Sequence, residues 1–321
     1  MKLLEVRNLS THYVSARGAR VTRAVDDVSL TVGAGETLGI VGESGSGKTT
    51  LALSLLRLLP PAARIVGGEI RFEGEDLLKK SAREMRRVRG KRIAMILQDP
   101  LASLNPLFTV GDQVAEPLRV HEGASRRRAW ERARELLRAV RIAAPETRVG
   151  EYPHQLSGGM RQRIVGAIAI SCGPRLLIAD EPTTSLDLTI QAQYLRLLRD
   201  LQRDGGLAMI FITHNLGIVA RMCEHVAVMY AGRIVEAGPV ARLFSSAAHP
   251  YTQALLESIP RMADGRKRLT AIDGQPPDPV ALPPGCAFHP RCPKVMDRCR
   301  KEAPPEVRVA ASHVSRCWLA T

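Results

Sequence analysis

At 321 residues with 45% apolar content, the chain is long enough for one large domain and a smaller one, or for two domains, with a sizeable core. It carries 46 Lys and Arg against 32 Asp and Glu, a formal charge of +14, but the basic residues are spread out and aromatics are only 4%, which argues against a base-stacking nucleic-acid platform. No apolar run approaches the roughly 18–20 residues of a membrane span, and polar residues interrupt the start MKLLEVRNLSTHY too often for a secretory signal, so a cytosolic chain is expected.

Leu3 to Leu9 alternates apolar with charged residues and predicts an edge strand. Tyr13 follows; an aromatic there suits adenine stacking, and a tyrosine ending a strand is equally ordinary. Ala24 to Val32 predicts a second strand, and Thr37 to Val41 a third that runs straight into GESGSGKT. Strand, Gly-rich turn and helix in that order are the context of a phosphate-binding loop. Gly42, Gly45 and Gly47 let successive N–H groups point inward with Ser44 and Ser46, and the helix beginning Lys48-Thr49-Thr50 adds its positive end. In such a loop the lysine, Lys48, reaches the terminal phosphates and the hydroxyl, Thr49, serves Mg²⁺.

Pro60-Pro61 stops that helix, and Gly67 to Gly74 predicts a hairpin segment. A charged helix over Ala82 to Val88 precedes a buried strand, Ile93 to Leu97, that ends at Gln98. From Pro100 to Pro153 the spacing of Trp130, Ala133, Leu136, Leu137 and Val140 is helical. Leu156-Ser157-Gly158-Gly159-Met160 then opens a helix reaching Ala169, with Ser157 as N-cap and two glycines that admit an anion. The strand Leu176 to Glu181 ends in two carboxylates, Asp180 and Glu181, where ligands bind in α/β sheets. Ser185-Leu186-Asp187 follows, and the strand Ala208 to Thr213 ends at His214. Gln98, Asp180-Glu181 and His214 thus all terminate core strands, on the sheet edge expected to carry the phosphate loop.

The order of phosphate loop, Gln98, LSGGM, LLIADE, SLD and His214 resembles the nucleotide-binding subunit of ATP-binding cassette transporters over Leu3 to Phe244. The wording QDPLASLNP, YPHQLSGGMRQR, IADEPTTSLD and HPYTQALL is similar to the dipeptide and oligopeptide importer branch. The resemblance implies a P-loop α/β cassette over residues 1–245, with a RecA-like mixed sheet, an antiparallel β subdomain and a helical subdomain at about 100–165, and a Cys-rich extension over 246–321. It implies two such subunits head to tail. Lys48, Thr49, Gln98, Asp180, Glu181 and His214 would act on the ATP bound here, with Thr49, Gln98 and Asp180 serving Mg²⁺. Ser157 and Gly159 would act on the partner's ATP, and Gly158 belongs to the nucleotide-binding set. Glu181 is then the general base, His214 orients the γ-phosphate and water, Tyr13 stacks on adenine, and Asp187 joins the nucleotide-binding set. The partners implied are a paralogous ATPase (or a second copy), two transmembrane permeases, which dock a coupling helix on the helical insertion, and, indirectly, an extracellular binding protein; no nucleic acid is expected. The chain would lie on the cytoplasmic membrane face. Asn215 departs from the family's usual aspartate after the histidine, and Met160 from a common glutamine.

Four cysteines, Cys286, Cys292, Cys299 and Cys317, cluster in a Pro-rich tail with five, six and seventeen residues between them. A tail with little apolar surface to bury suggests a metal staple, and the spacing alone does not separate zinc from iron–sulfur. The resemblance points to a [4Fe-4S] cluster, with Zn²⁺ as runner-up. Functionally it implies the ATPase of a peptide importer. Nickel or glutathione importers are the near alternatives, and a soluble cassette acting on nucleic acid or ribosomes is the distant one.

Overall fold

The computed structural model describes residues 2–15, 20–184, 186–259 and 271–320, and the side chains of Pro100 and Leu101 are not among them. Ser185, part of the SLD motif, lies outside the described residues. The chain forms two compact units. One comprises Lys2–Val32, Thr37–Leu78 and Phe211–Thr321, the other Gly33–Glu36 and Lys79–Ile210. Both mix strands and helices, in keeping with the α/β expectation.

The first unit opens with β1 (Lys2–Val14) and β2 (Val21–Gly33), continues through β3 (Thr37–Val41), α1 (Lys48–Leu55), β4 (Ala63–Phe72) and β5 (Glu75–Asp76), and makes a four-stranded sheet in the order β2-β1-β4-β5. β1 is therefore an interior strand, contrary to the edge strand expected. Its alternating burial shows which face meets the core, but alternation carries no information about lateral neighbours. β1 is flanked by β2 and pairs antiparallel with β4 from Leu4↔Phe72 to Tyr13↔Ala63, with register shifts around Ser10. A buried bond between the Thr11 and Ser54 hydroxyls, 2.9 Å, ties α1 to this sheet. β3 is buried at every residue, as a parallel central strand requires.

The second unit holds α2 (Ala82–Val88), β6 (Ile93–Ile96), α3 (Pro100–Ser103), α4 (Val110–Glu122), α5 (Arg126–Ala139), α6 (Pro145–Arg148), α7 (Gly158–Ile170), β7 (Leu176–Asp180) and α8 (Leu188–Gly205). β6 and β7 are parallel, in register Ile93↔Leu176 to Ile96↔Ala179, so both end on one side. α2 begins in a capping box between Ser81 and Glu84. In the helical insertion the Trp130 indole N–H donates to Asp112 at 3.2 Å, joining α4 to α5. β8 (Ala208–Ile212) begins in this unit and ends in the other.

The first unit resumes with α9 (Leu216–Met222), β9 (His225–Tyr230), β10 (Arg233–Pro239), α10 (Val240–Ser245), α11 (Pro250–Glu257), α12 (Asp297–Lys301), β11 (Val307–Ala310) and β12 (His313–Ser315). β9 is parallel to β3 and antiparallel to β10, and β10, β12 and β11 follow in antiparallel order. The C-terminal residues thus complete the cassette's own sheet. One hydrophobic core gathers Val41 and Val228 from the strands, Val219 from α9, and Tyr251 and Phe288 from the C-terminal region. A fully buried Glu236 is the polar anchor: its carboxylate accepts from Ala248 N–H, His249 N–H and His313 Nε2 at 2.6–3.0 Å. Three bonds to one buried carboxylate offset its desolvation. Among the described residues no helix is long and apolar enough to cross a membrane.

Candidate functional site

The first unit builds the phosphate loop between β3 and α1. Gly42 and Gly47 are required there by close approach: a Cβ on Gly42 would stand 2.2 Å from the Met229 carbonyl oxygen, and one on Gly47, at φ 102°, 2.1 Å from that of Ala24. A Cβ on Gly45, at φ 78°, would meet nothing within 4 Å among the described residues, so what favours glycine there is its left-handed backbone. Gly232 N–H donates to the Ser46 carbonyl at 3.0 Å, bracing the loop from the β9–β10 turn. The Lys48 ammonium is buried and donates to the carbonyls of Gly42 and Glu43, both at 2.8 Å, and to Ser46 Oγ at 3.3 Å. A cation held across the mouth of a left-handed glycine loop, at a helix start, is an arrangement for a polyanion. Ser44 and Thr49 are exposed, and the Tyr13 hydroxyl lies 3.4 Å from Thr50 Oγ1. In the same unit His214 is exposed just past β8.

The second unit brings Gln98, Asp180 and Glu181 together past the ends of β6 and β7. Asp180 is buried at the last position of β7. Glu181 follows at φ 45°, a left-handed conformation that costs a non-glycine residue about 1 kcal/mol. Its carboxylate accepts from Gln98 Nε2 at 3.2 Å and from Thr184 Oγ1 at 2.9 Å. Thr49, Gln98 and Asp180 are oxygen donors, the ligand class that Mg²⁺ takes.

The same unit carries the Ser157 helix start. Ser157 Oγ accepts from Met160 N–H at 3.4 Å, the N-cap expected. The two glycines differ: a Cβ on Gly159 would stand 2.7 Å from Ile190 of α8, while one on Gly158 would meet nothing within 4 Å. Asp187, expected in the nucleotide-binding set, is engaged otherwise within the chain. Its carboxylate caps α8, accepting from Thr189 and Ile190 N–H at 3.1 and 3.0 Å. Asn215 does the same for α9, through Gly217 and Ile218 N–H at 2.9 and 3.3 Å. An aspartate would serve this cap as well, since Asn and Asp cap helices almost equally well.

All four tail cysteines line one small pocket beside His249 and Phe288. Gly285, at φ 71°, makes this possible: a Cβ there would stand 2.3 Å from the Cys299 carbonyl, to which Cys286 N–H donates at 2.8 Å. Burial pushes the Cys286 thiol up to about 11 and raises Cys292 and Cys317 as well. Four thiols suit zinc or an iron–sulfur cluster by donor chemistry. Their positions do not: among the described residues no three His, Cys, Asp or Glu side chains form a group that could hold a metal ion. The cluster expected from the sequence is therefore not supported by this geometry, nor is zinc.

Sequence reasoning missed one contact set entirely. Glu43, inside the phosphate loop, is bonded by Tyr251 and Arg291 of the C-terminal region. No local pattern signals partners more than 200 positions apart, whereas the caps at Asp187 and Asn215 were readable from their place before apolar helices.

Comparison with known proteins agrees with these features. Residues 25–184 match the ABC transporter family model, and residues 235–299 match the C-terminal region of oligopeptide/dipeptide transporters. A probable peptide ABC transporter ATP-binding protein of Sinorhizobium fredii is 53% identical, covering 98% of this chain and 94% of the relative. A Brucella melitensis protein named as a peptide import ATP-binding protein is 49% identical over 98% and 96%. Among solved structures, the dimeric cassette MJ0796 bound to ADP and Pi aligns with a TM-score of 0.66 at 26% identity, over 74% of this chain and 98% of that one. The cbiO1 subunit of Clostridium perfringens, part of the ABC transporter complex cbiONQ, aligns at 0.65 and 26%, over 76% and 91%. The chain belongs to the ATP-binding cassette family of transporter ATPases and carries the C-terminal region of its oligopeptide/dipeptide members.

Proposed function

We propose that this chain is the ATP-hydrolysing subunit of a peptide importer. The observation that carries the peptide assignment is full-length similarity, at 53% and 49% identity, to relatives named for peptide transport or import, together with the matched C-terminal region. The chemistry follows from the residues. The Gly42–Thr49 loop and Lys48 bind the phosphates of ATP, with Tyr13 placed for the adenine. Phosphoryl transfer to water asks for positioning and charge neutralisation more than covalent help. Mg²⁺, when bound by Thr49, Asp180 and Gln98, neutralises phosphate charge. Glu181 takes a proton from the attacking water, held in orientation by Gln98 and Thr184, and His214 bonds the γ-phosphate and aligns the water.

A second subunit, a paralogue or another copy, supplies its Ser157-type helix start to this ATP, and Ser157, Gly158 and Gly159 serve the partner's. Gly158 supports this reading, because among the described residues a Cβ there would meet nothing within 4 Å. Permease subunits dock on the helical insertion. There Leu107 and Phe108 are 80% and 53% exposed, and a groove of about 580 Å³ is lined by Phe108, Asp112, Glu116 and Arg119 among others. The chain then works as a peripheral subunit on the cytoplasmic face. The four cysteines, gathered in one pocket, would close into a [4Fe-4S] or zinc site only after their positions shift. Iron, sulfide and zinc analysis after anaerobic purification separates the two from plain reduced thiols.

The test is co-expression with candidate peptide-permease subunits, followed by ATPase assay in proteoliposomes. Peptide-loaded binding protein should stimulate hydrolysis. Stimulation by nickel or glutathione instead, or co-purification with nucleic acid and no permease, would refute the peptide assignment.

A further inference from the structure

The loop residue Glu43 is held at both its polar ends by the C-terminal region, within one unit of the fold. Its N–H donates to the Tyr251 hydroxyl at 2.9 Å. Its carboxylate accepts a bidentate pair from Arg291, Nη1 to Oε2 at 2.7 Å and Nη2 to Oε1 at 3.0 Å. The Arg291 side chain is only 4% exposed. It is fixed further by donation to the carbonyls of Asp273, 3.0 Å, and Ile272, 3.4 Å, and to the Tyr230 hydroxyl, 3.4 Å. The guanidinium carbon stands 5.9 and 6.0 Å from the ring centres of Tyr230 and Phe288, and Tyr251 packs on both rings at 4.6 and 5.3 Å. The other end of the chain of contacts is Lys48: the Glu43 carbonyl is one of its two anchors at 2.8 Å.

We propose that Arg291 and Tyr251 are positioning residues for ATP, clamping the Glu43 peptide so that the phosphate loop and Lys48 are preorganised, and cancelling the Glu43 charge beside the phosphate site. The inference rests on the loop binding ATP. Tyr251, Ile272, Asp273, Phe288 and Arg291 lie within residues 235–299, the span matched to the C-terminal region of oligopeptide/dipeptide transporters, while Tyr230 stands on β9 before it. The clamp is thus a contribution of the C-terminal region to nucleotide handling. A rigid bidentate pair suits this role, since it fixes direction as well as charge. Breaking one side also leaves an uncompensated carboxylate near where phosphate would sit.

The experiment uses the full chain, with Kd for a fluorescent ATP analogue and with kcat and KM for ATP in the assembled transporter. Arg291→Ala should raise Kd and KM about tenfold, a loss of roughly 1.4 kcal/mol, with kcat within about threefold. Arg291→Lys keeps the charge but not the fork and should recover only part of the affinity. Glu43→Gln/Arg291→Ala should bind ATP more tightly than Arg291→Ala, because the unpaired anion is gone. If Arg291→Ala does not fold, Tyr251→Phe removes only the hydroxyl that holds Glu43 N–H and should raise Kd about threefold. A folded Arg291→Ala or Tyr251→Phe with wild-type Kd and KM overturns the clamp. Failure of the wild-type chain itself to bind the analogue, or unchanged binding in Lys48→Ala, overturns the ATP site instead.

Discussion

Gln98 Nε2 donates to the Glu181 carboxylate at 3.2 Å, linking the end of β6 to the residue after β7. The pair is possible because β6 and β7 run parallel in register, and because Glu181 leaves the strand with left-handed backbone at φ 45°. If Glu181 is the general base, Gln98 and Thr184 orient it. Gln98→Ala should lower kcat about tenfold with a smaller change in ATP affinity, and Gln98→Glu, which sets two carboxylates together, should lower it further. Steady-state hydrolysis at saturating and limiting Mg²⁺ checks this. An unchanged kcat in both variants counts against the orienting role.

The glycines of the phosphate loop should separate by mechanism. Gly47→Ala drives a Cβ to 2.1 Å from a backbone oxygen, so it should destabilise the chain by about 3 kcal/mol or prevent folding. Gly45→Ala meets open space, so it should cost only about 1 kcal/mol while still weakening ATP, whose phosphates need the bare backbone. Denaturant melts and nucleotide titrations on the two variants tell these effects apart.

At the start of α7 the same logic is turned toward a partner. Gly159→Val should destabilise the chain through Ile190, whereas Gly158→Val should leave the melting temperature close to wild type. Gly158→Val should nonetheless reduce hydrolysis in the assembled transporter, where a second subunit's ATP would meet that surface. Full hydrolysis by Gly158→Val would remove the support that this glycine lends to the shared site.

Asn215 is predicted to be exchangeable. Asn215→Asp retains both cap bonds to α9 and should shift stability by less than about 0.5 kcal/mol, while Asn215→Ala should cost about 1 kcal/mol. Chemical denaturation of the three proteins provides the comparison.

The sequence made the cassette's site legible wherever function demanded a short local pattern. The loop glycines, Lys48, the Asp180-Glu181 strand end and the Ser157 cap could all be read because each sits at the junction of a strand or helix with a turn. Lateral order was not readable. Alternation predicts a half-buried strand because it reports one buried face, and only its place between β2 and β4 shows β1 to be interior. Asp187, which the family resemblance assigns to the nucleotide-binding set, and Asn215 both stand where helix caps belong, and capping accounts for their bonds among the described residues. The Arg291–Glu43 clamp was out of reach altogether, since nothing near either residue marks the other. In the tail, the cysteine spacing suggested a shared site, and the pocket gathers all four, but the metal-holding arrangement is not there among the described residues.

ATP hydrolysis with Glu181 as general base is tested most directly by Glu181→Gln measured in the assembled transporter. The amide keeps the shape and removes the proton acceptor. ATP affinity should stay within about threefold of wild type while turnover falls by about 100-fold or more. Wild-type turnover by Glu181→Gln, with ATP bound normally, would contradict the central claim.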